Sequence, residues 1–180
     1  LSAFNFLTLN GFYKGEAGDI SWHHFGQAEQ EMSNALSNAG NTLLFGRITY
    51  ELMAHYWPSK DAIQNDPVTA KGMNEAKKYV FSKTISQPDW QNTILIKDDM
   101  IGEVRKLKQT SATNLTLLGS GQILTQLADA GLVDEYSFMI NPLAIGRGTP
   151  ILSGLSKKLD LKLKSSRVMK SGNVLLNYTR

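Results

Sequence analysis

Short apolar runs alternate with amphipathic stretches along most of this chain. Ala3 to Leu9 (AFNFLTL) is apolar and rich in β-formers, the pattern of a buried strand. Asn10-Gly11 breaks it, and Gly15 and Gly18 keep the next stretch a loop. From Phe25 the apolar positions are Phe25, Ala28, Met32, Ala35, Leu36 and Ala39. Steps of three and four predict an amphipathic helix, with Gly40 where a terminating glycine belongs. Thr42 to Phe45 (TLLF) predicts a second buried strand, and Ile48 to Ala54 a short helix.

His55 to Asp66 is polar and irregular. Asp66-Pro67 pairs an N-cap with a proline at the first helical position, so a helix is predicted from there to about Lys77. Strands follow at Lys78 to Ser82 and Thr93 to Ile96. Asp98 is the expected cap of a helix carrying Ile101, Val104 and Leu107. Leu115 to Leu118 is a strand ending at Gly119-Ser120-Gly121, and the helix after it stops at Gly131. Glu135 to Ile140 is a strand closed by Asn141-Pro142. Leu159, Leu161 and Leu163 then alternate with charged residues, predicting a half-exposed antiparallel strand. Ser171-Gly172 turns the chain back into a strand at Val174 to Tyr178. Strands that alternate with helices predict an α/β fold in three layers, α-β-α. Its sheet is mainly parallel, with an antiparallel hairpin at the C-terminal end, and one domain spans residues 1–180.

The 180 residues suffice for one domain with a full-sized core, and 42% hydrophobic with 19% charged residues argues against disorder. No apolar run approaches the roughly 20 residues that cross a bilayer, so no membrane partner is expected. The first residues do not read as a signal peptide. There is no cysteine, which excludes disulfides and thiolate chemistry and fits a reducing, cytoplasmic location. The net charge of +3 is mild and scattered, so no nucleic-acid partner is expected.

In sheets of this kind, ligands bind at the carboxyl ends of strands, where helix N-termini present free N–H groups. Two strand–glycine–helix junctions qualify. Gly46 would let backbone approach a ligand, with the Arg47 cation and the Thr49 hydroxyl beside it. Gly119, Ser120, Gly121 and Gln122 make a second anion cradle; tight turns alone would also explain these glycines. The dinucleotide pattern GxGxxG fails at Leu124, and no GxxxxGK[ST] is present. Ser82-Lys83 sets a hydroxyl beside an ammonium, which suits a phosphate monoester. His23-His24 point about 100° apart on a helix, and no metal site is expected from them. Glu29 lies roughly 70° from the centre of its helix's apolar face, so it is the carboxylate expected to be half-buried with a raised pKa.

As a set, LTLNGF (7–12), LFGRITYE (44–51), KYVFSKT (78–84), LGSG (118–121), GLVDE (131–135) and PLAIGRGTP (142–150) resemble the dihydrofolate reductase-like fold. Within it they are most similar to the C-terminal reductase domain of the riboflavin-biosynthesis deaminase–reductase. The resemblance implies NADPH across the carboxyl edge of the sheet. Gly46, Arg47 and Thr49 would meet its pyrophosphate from one side and Gly119, Ser120, Gly121 and Gln122 from the other. Ser82 and Lys83 would hold the ribose and 2′-phosphate. Residues 10–19 would form a lid, with residues 145–150 nearby.

The implied activity is reduction of a small pyrimidine- or pterin-like heterocycle. Glu29 or a bound water would supply the proton, and Trp22, Phe25 and Tyr50 would line the ring pocket. Asn10 stands where the family has aspartate, and its amide cannot act as a general acid. That departure favours the alternative of a nucleotide-binding module without turnover. A homodimer is a further expectation from the family.

Overall fold

The computed structural model describes residues 1–23 and 26–180, so the expected start of the first helix at Phe25 falls outside it. The elements in chain order are β1 (Ser2–Thr8), β2 (Phe12–Gly15), α1 (Gln27–Asn38), β3 (Thr42–Gly46), α2 (Arg47–Tyr56), α3 (Lys60–Asn65), α4 (Pro67–Glu75), β4 (Lys78–Phe81), β5 (Thr93–Ile96), α5 (Met100–Thr110), β6 (Leu115–Leu118), α6 (Gly121–Asp129), β7 (Glu135–Asn141), β8 (Gly148–Pro150), β9 (Lys162–Val168) and β10 (Val174–Thr179). Eight strands form one sheet in the order β5-β4-β3-β6-β1-β7-β10-β9. The first six in that order run parallel, so their carboxyl ends share one edge. β10 is antiparallel to β7, and β9 to β10.

Both sheet faces are covered, as the apolar runs require. β3 shows this: Leu44 packs into one cluster while Leu43 and Phe45 join another. The first cluster holds Val104 and Leu107 of α5 and Leu124 and Leu127 of α6. The second holds Tyr50 of α2, Met73 of α4, and Trp90. No helix among the described residues is long and apolar enough to cross a membrane.

Four expectations need correction. Asp99, not Asp98, caps α5: its carboxylate accepts from Gly102 N at 3.0 Å. Residues 60–65, within the stretch read as irregular, form α3, capped by Ser59. Only Ala62 of that helix is buried, so no apolar period marks it. The segment after Asn10 is not plain loop, because β2 pairs antiparallel with β8 in a separate small sheet. Finally, Leu159 and Leu161 precede β9 and pack against the first cluster, and every residue of β9 is exposed. Their alternation came from packing of a connecting segment, not from a half-buried strand.

Candidate functional site

The parallel order of β4, β3, β6 and β1 gathers Ser82, Gly46, Gly119 and Asn10 along one edge, each just at or beyond the end of its strand. The two glycine junctions touch. Gly46 N donates to Ser120 Oγ at 2.8 Å, and Ser120 N donates to Thr49 Oγ1 at 3.2 Å. Gly119 and Ser120 both have φ of +57°, and for Ser120 this left-handed conformation is uncommon. It reverses the chain sharply between β6 and α6.

The glycines serve this closeness. A Cβ at Gly46 would lie 2.9 Å from Ile123 Cγ1, and one at Gly119 would lie 3.2 Å from Thr49. At Gly121 it would fall 2.5 Å from the Tyr13 ring. Gly46 was expected to admit a ligand; what its missing side chain admits here is the opposing helix. Neither α2 nor α6 has a side-chain cap on its own first turn. The opening N–H groups of a helix have no partner within it, so both starts face the edge as partial positive charges.

Arg47 is exposed and paired with Glu51 at 2.9 Å, and Gln122 is exposed. The Ser82 hydroxyl accepts from Thr84 N and Ile85 N, each at 3.1 Å, while the neighbouring Lys83 is exposed without an ion pair among the described residues.

A flap lies over this edge. Asn10 Nδ2 donates to Ile145 O at 2.8 Å, and its Oδ1 accepts from Thr8 Oγ1 at 2.8 Å and from Ile145 N at 3.3 Å. Asn10 therefore staples the β2 segment to the β8 segment. Ile151 N adds a bond to Gly11 O at 2.9 Å. Tyr13, in β2, carries the flap onto α6 at Gly121. Burial raises the pKa of its phenol.

Glu29 is fully buried, not half-buried. Burial alone would raise its pKa, but hydrogen bonds from Ser171, Asn173 and Gly26 together hold the carboxyl below its ordinary value. Asn173 Nδ2 donates at 2.9 Å and Gly26 N at 3.0 Å, alongside the short contact from the Ser171 hydroxyl. The raised pKa expected from its helix position is thus overturned. Glu29 ties α1 to the β9–β10 turn, and the hydrogen bonds that do so favour its ionised form.

Tyr50 is also corrected. It is 2% exposed, packs near Trp90, donates to Asp89 Oδ1 at 3.2 Å and accepts from Trp90 N at 2.9 Å. It is a core residue rather than a pocket wall. Trp22 is edge-on to His23 at 4.4 Å, and His23 stacks on Phe6 of β1 at 4.6 Å. Burial pulls the His23 pKa down to about 4, against the pull of Asp19, so the ring is neutral at neutral pH. Phe25, the third expected pocket residue, lies outside the described residues.

Sequence reasoning missed Tyr13 and the Ser171–Asn173 pair, and weighed His23 only as a metal ligand. Ser171 meets Glu29 across 142 positions of chain, a separation that leaves no local signal.

The family model of the RibD C-terminal domain matches residues 1–175. The chain belongs to the RibD C-terminal domain family. YyaP of Bacillus subtilis strain 168, itself uncharacterised, is 31% identical over 96% of this chain and 90% of its own length. YwjB of the same organism, also uncharacterised, is 23% identical over 97% of this chain and 94% of its own. Among solved structures, the fold is similar to a protein of Shewanella sp. PV-4 provisionally assigned to riboflavin biosynthesis. The TM-score is 0.76 at 18% identity, covering 99% of this chain and 97% of that one. It is also similar to a deaminase/5-amino-6-(5-phosphoribosylamino)uracil reductase of Thermotoga maritima, with a TM-score of 0.68 at 14% identity. That likeness covers 99% of this chain and 55% of the Thermotoga chain. The RibD C-terminal fold, an α/β sheet with its antiparallel pair at one side, is therefore the fold of this chain.

Proposed function

We propose that this RibD C-terminal domain protein is an NADPH-dependent reductase of a small pyrimidine- or pterin-like heterocycle. One observation carries the reading: the two glycine junctions, 74 positions apart in sequence, meet through Gly46 N and Ser120 Oγ. Two uncapped helix starts side by side suit a diphosphate, because each offers backbone N–H groups and a positive dipole end.

Arg47 and Gln122 flank those starts and would add a charge and a donor once Arg47 turns from Glu51. Ser82 and Lys83, at the end of the next strand but one from β6, would hold a 2′-phosphate. The fit is therefore good for a phosphorylated dinucleotide. Bound there, NADPH supplies a hydride from C4 of its nicotinamide. The flap stapled by Asn10 excludes water over the edge, and Tyr13 seats it. The hydrogen bonds on Glu29 favour its ionised form, so a bound water would donate the proton that accompanies the hydride.

The test is titration with NADPH and NADH, read by energy transfer from tryptophan to bound cofactor. NADPH is expected to bind more tightly. No binding of either at millimolar concentration sinks the proposal. Arg47→Ala is expected to weaken NADPH binding by about 1–3 kcal/mol through loss of a charged contact. A second reading, a nucleotide-binding module without turnover, is favoured by the engagement of both polar atoms of Asn10 in the flap. Binding without oxidation of NADPH in the presence of dihydrofolate or ribosylaminopyrimidines would select it.

A further inference from the structure

Ser120 stands at the N-cap of α6, yet its hydroxyl caps no amide of that helix. It accepts instead from Gly46 N, at the start of α2, at 2.8 Å. The same hydroxyl lies 3.3 Å from Leu118 O, which takes its proton. Thr49, in the first turn of α2, returns the arrangement by accepting from Ser120 N at 3.2 Å. Each junction thus caps the backbone of the other.

The packing agrees. Side chains are missing at Gly46 and Gly119 where Ile123, Ser120 and Thr49 press in, with distances of 2.9 to 3.3 Å to a Cβ built there. A hydroxyl that has its donor and its acceptor in the protein has little left for a ligand. A backbone amide in an uncapped first turn has no such partner.

We propose that Ser120 is a positioning residue rather than a ligand contact, and that Thr49, by accepting from Ser120 N, positions the same pair of turns. Their crossed hydrogen bonds fix the two helix starts at one spacing. A dinucleotide's diphosphate meets that spacing through first-turn amides, Arg47 and Gln122. This rests on the NADPH reading given above, and the experiment separates the two.

NADPH affinity is measured by tryptophan energy transfer for the unmodified protein, Thr49→Val, Thr49→Ser, Ser120→Ala and the double variant Thr49→Val/Ser120→Ala. Melting curves check that each is folded. Each hydroxyl deletion is expected to weaken binding roughly tenfold, in the range that a small misplacement costs. Because both bonds set one coordinate, the double variant is expected to lose little more than either single one. Thr49→Ser restores affinity. Two independent ligand contacts would instead multiply, to roughly a hundredfold.

Amide hydrogen exchange without cofactor gives a second readout. The Gly46 amide is expected to be protected, and to lose protection in Ser120→Ala; the Ser120 amide is expected to lose it in Thr49→Val. This measurement decides the matter if the double variant does not fold. NADPH binding unchanged by the deletions, multiplicative losses, or unprotected amides in the unmodified protein overturn this inference alone. Failure of the unmodified protein to bind NADPH overturns the reading of the site and this inference with it.

Discussion

Replacing Lys78 by Met removes a cation that has no access to solvent. Its ammonium donates to Met73 O at 2.8 Å, Asn74 O at 3.0 Å and Ala76 O at 2.7 Å, closing the C-terminus of α4, and lies 4.4 Å from the Trp90 ring centre. Burial lowers its pKa from 10.5 to about 8. That fall of about 2.5 pH units represents ~3 kcal/mol carried against the charged form at neutral pH. Against it stand the Met73 and Ala76 carbonyls, which Met cannot satisfy, at ~2 kcal/mol each, while Asn74 O keeps the Gln91 side-chain amide at 3.0 Å. The net expectation is a loss of ~1 kcal/mol at pH 7, read by urea denaturation.

The pH dependence has a fixed direction. The folded pKa lies below the unfolded one, so between about pH 8 and 10.5 the unfolded chain binds more protons and stability rises with pH. The Met variant lacks this gain. The stability gap between the two proteins should therefore widen by ~1.4 kcal/mol from pH 7 to pH 9. A gap that stays flat or narrows over that range refutes the account of Lys78 as a desolvated cation, whatever its size at pH 7.

Glu29→Gln is expected to cost ~1–3 kcal/mol at pH 7, since an amide cannot accept from all three of its donors. With the folded pKa below 4.5, the unmodified protein should lose stability as pH falls below that value, and the variant should not show this part of the loss; thermal melts from pH 7 to 3 check it. The same variant should leave NADPH binding intact. Gly121→Ala puts a methyl group into the Tyr13 ring and should lift the flap, which faster NADPH dissociation in stopped-flow traces would report. Tyr13→Ala in the same chain should restore tolerance of the alanine, and continued strain in that pair would count against the contact.

The fold was readable because its strands are continuous apolar runs and its helices carry a clear period. TLLF at 42–45 and LTLL at 115–118 could only be buried, and both proved to be adjacent central strands. The junction glycines were legible as punctuation, but not their reason, since what presses on Gly46 is Ile123 and Ser120 from a distant helix. Glu29 misled because helix angle reports only its own helix. The groups that depress its pKa come from the far end of the chain, at Ser171 and Asn173. The role of Lys78 was not legible either: in KYVF it is as buried as its neighbours because a helix terminus waits for it, and that terminus leaves no mark on the strand's own sequence.

The outermost strand, β9, has the sequence KLKSSRV and exposes every residue. Its free side is a row of unpaired peptide groups, the usual template on which one molecule adds to another. Lys164 is paired with Glu135, which leaves Lys162 and Arg167 as the cations of that row without an ion pair among the described residues. A second molecule arriving antiparallel would bring two more such cations to the same line. The rim is thereby kept from seeding fibrous growth by mutual repulsion, and high salt, which screens that repulsion, is the condition under which crowded solutions of the protein should first turn turbid.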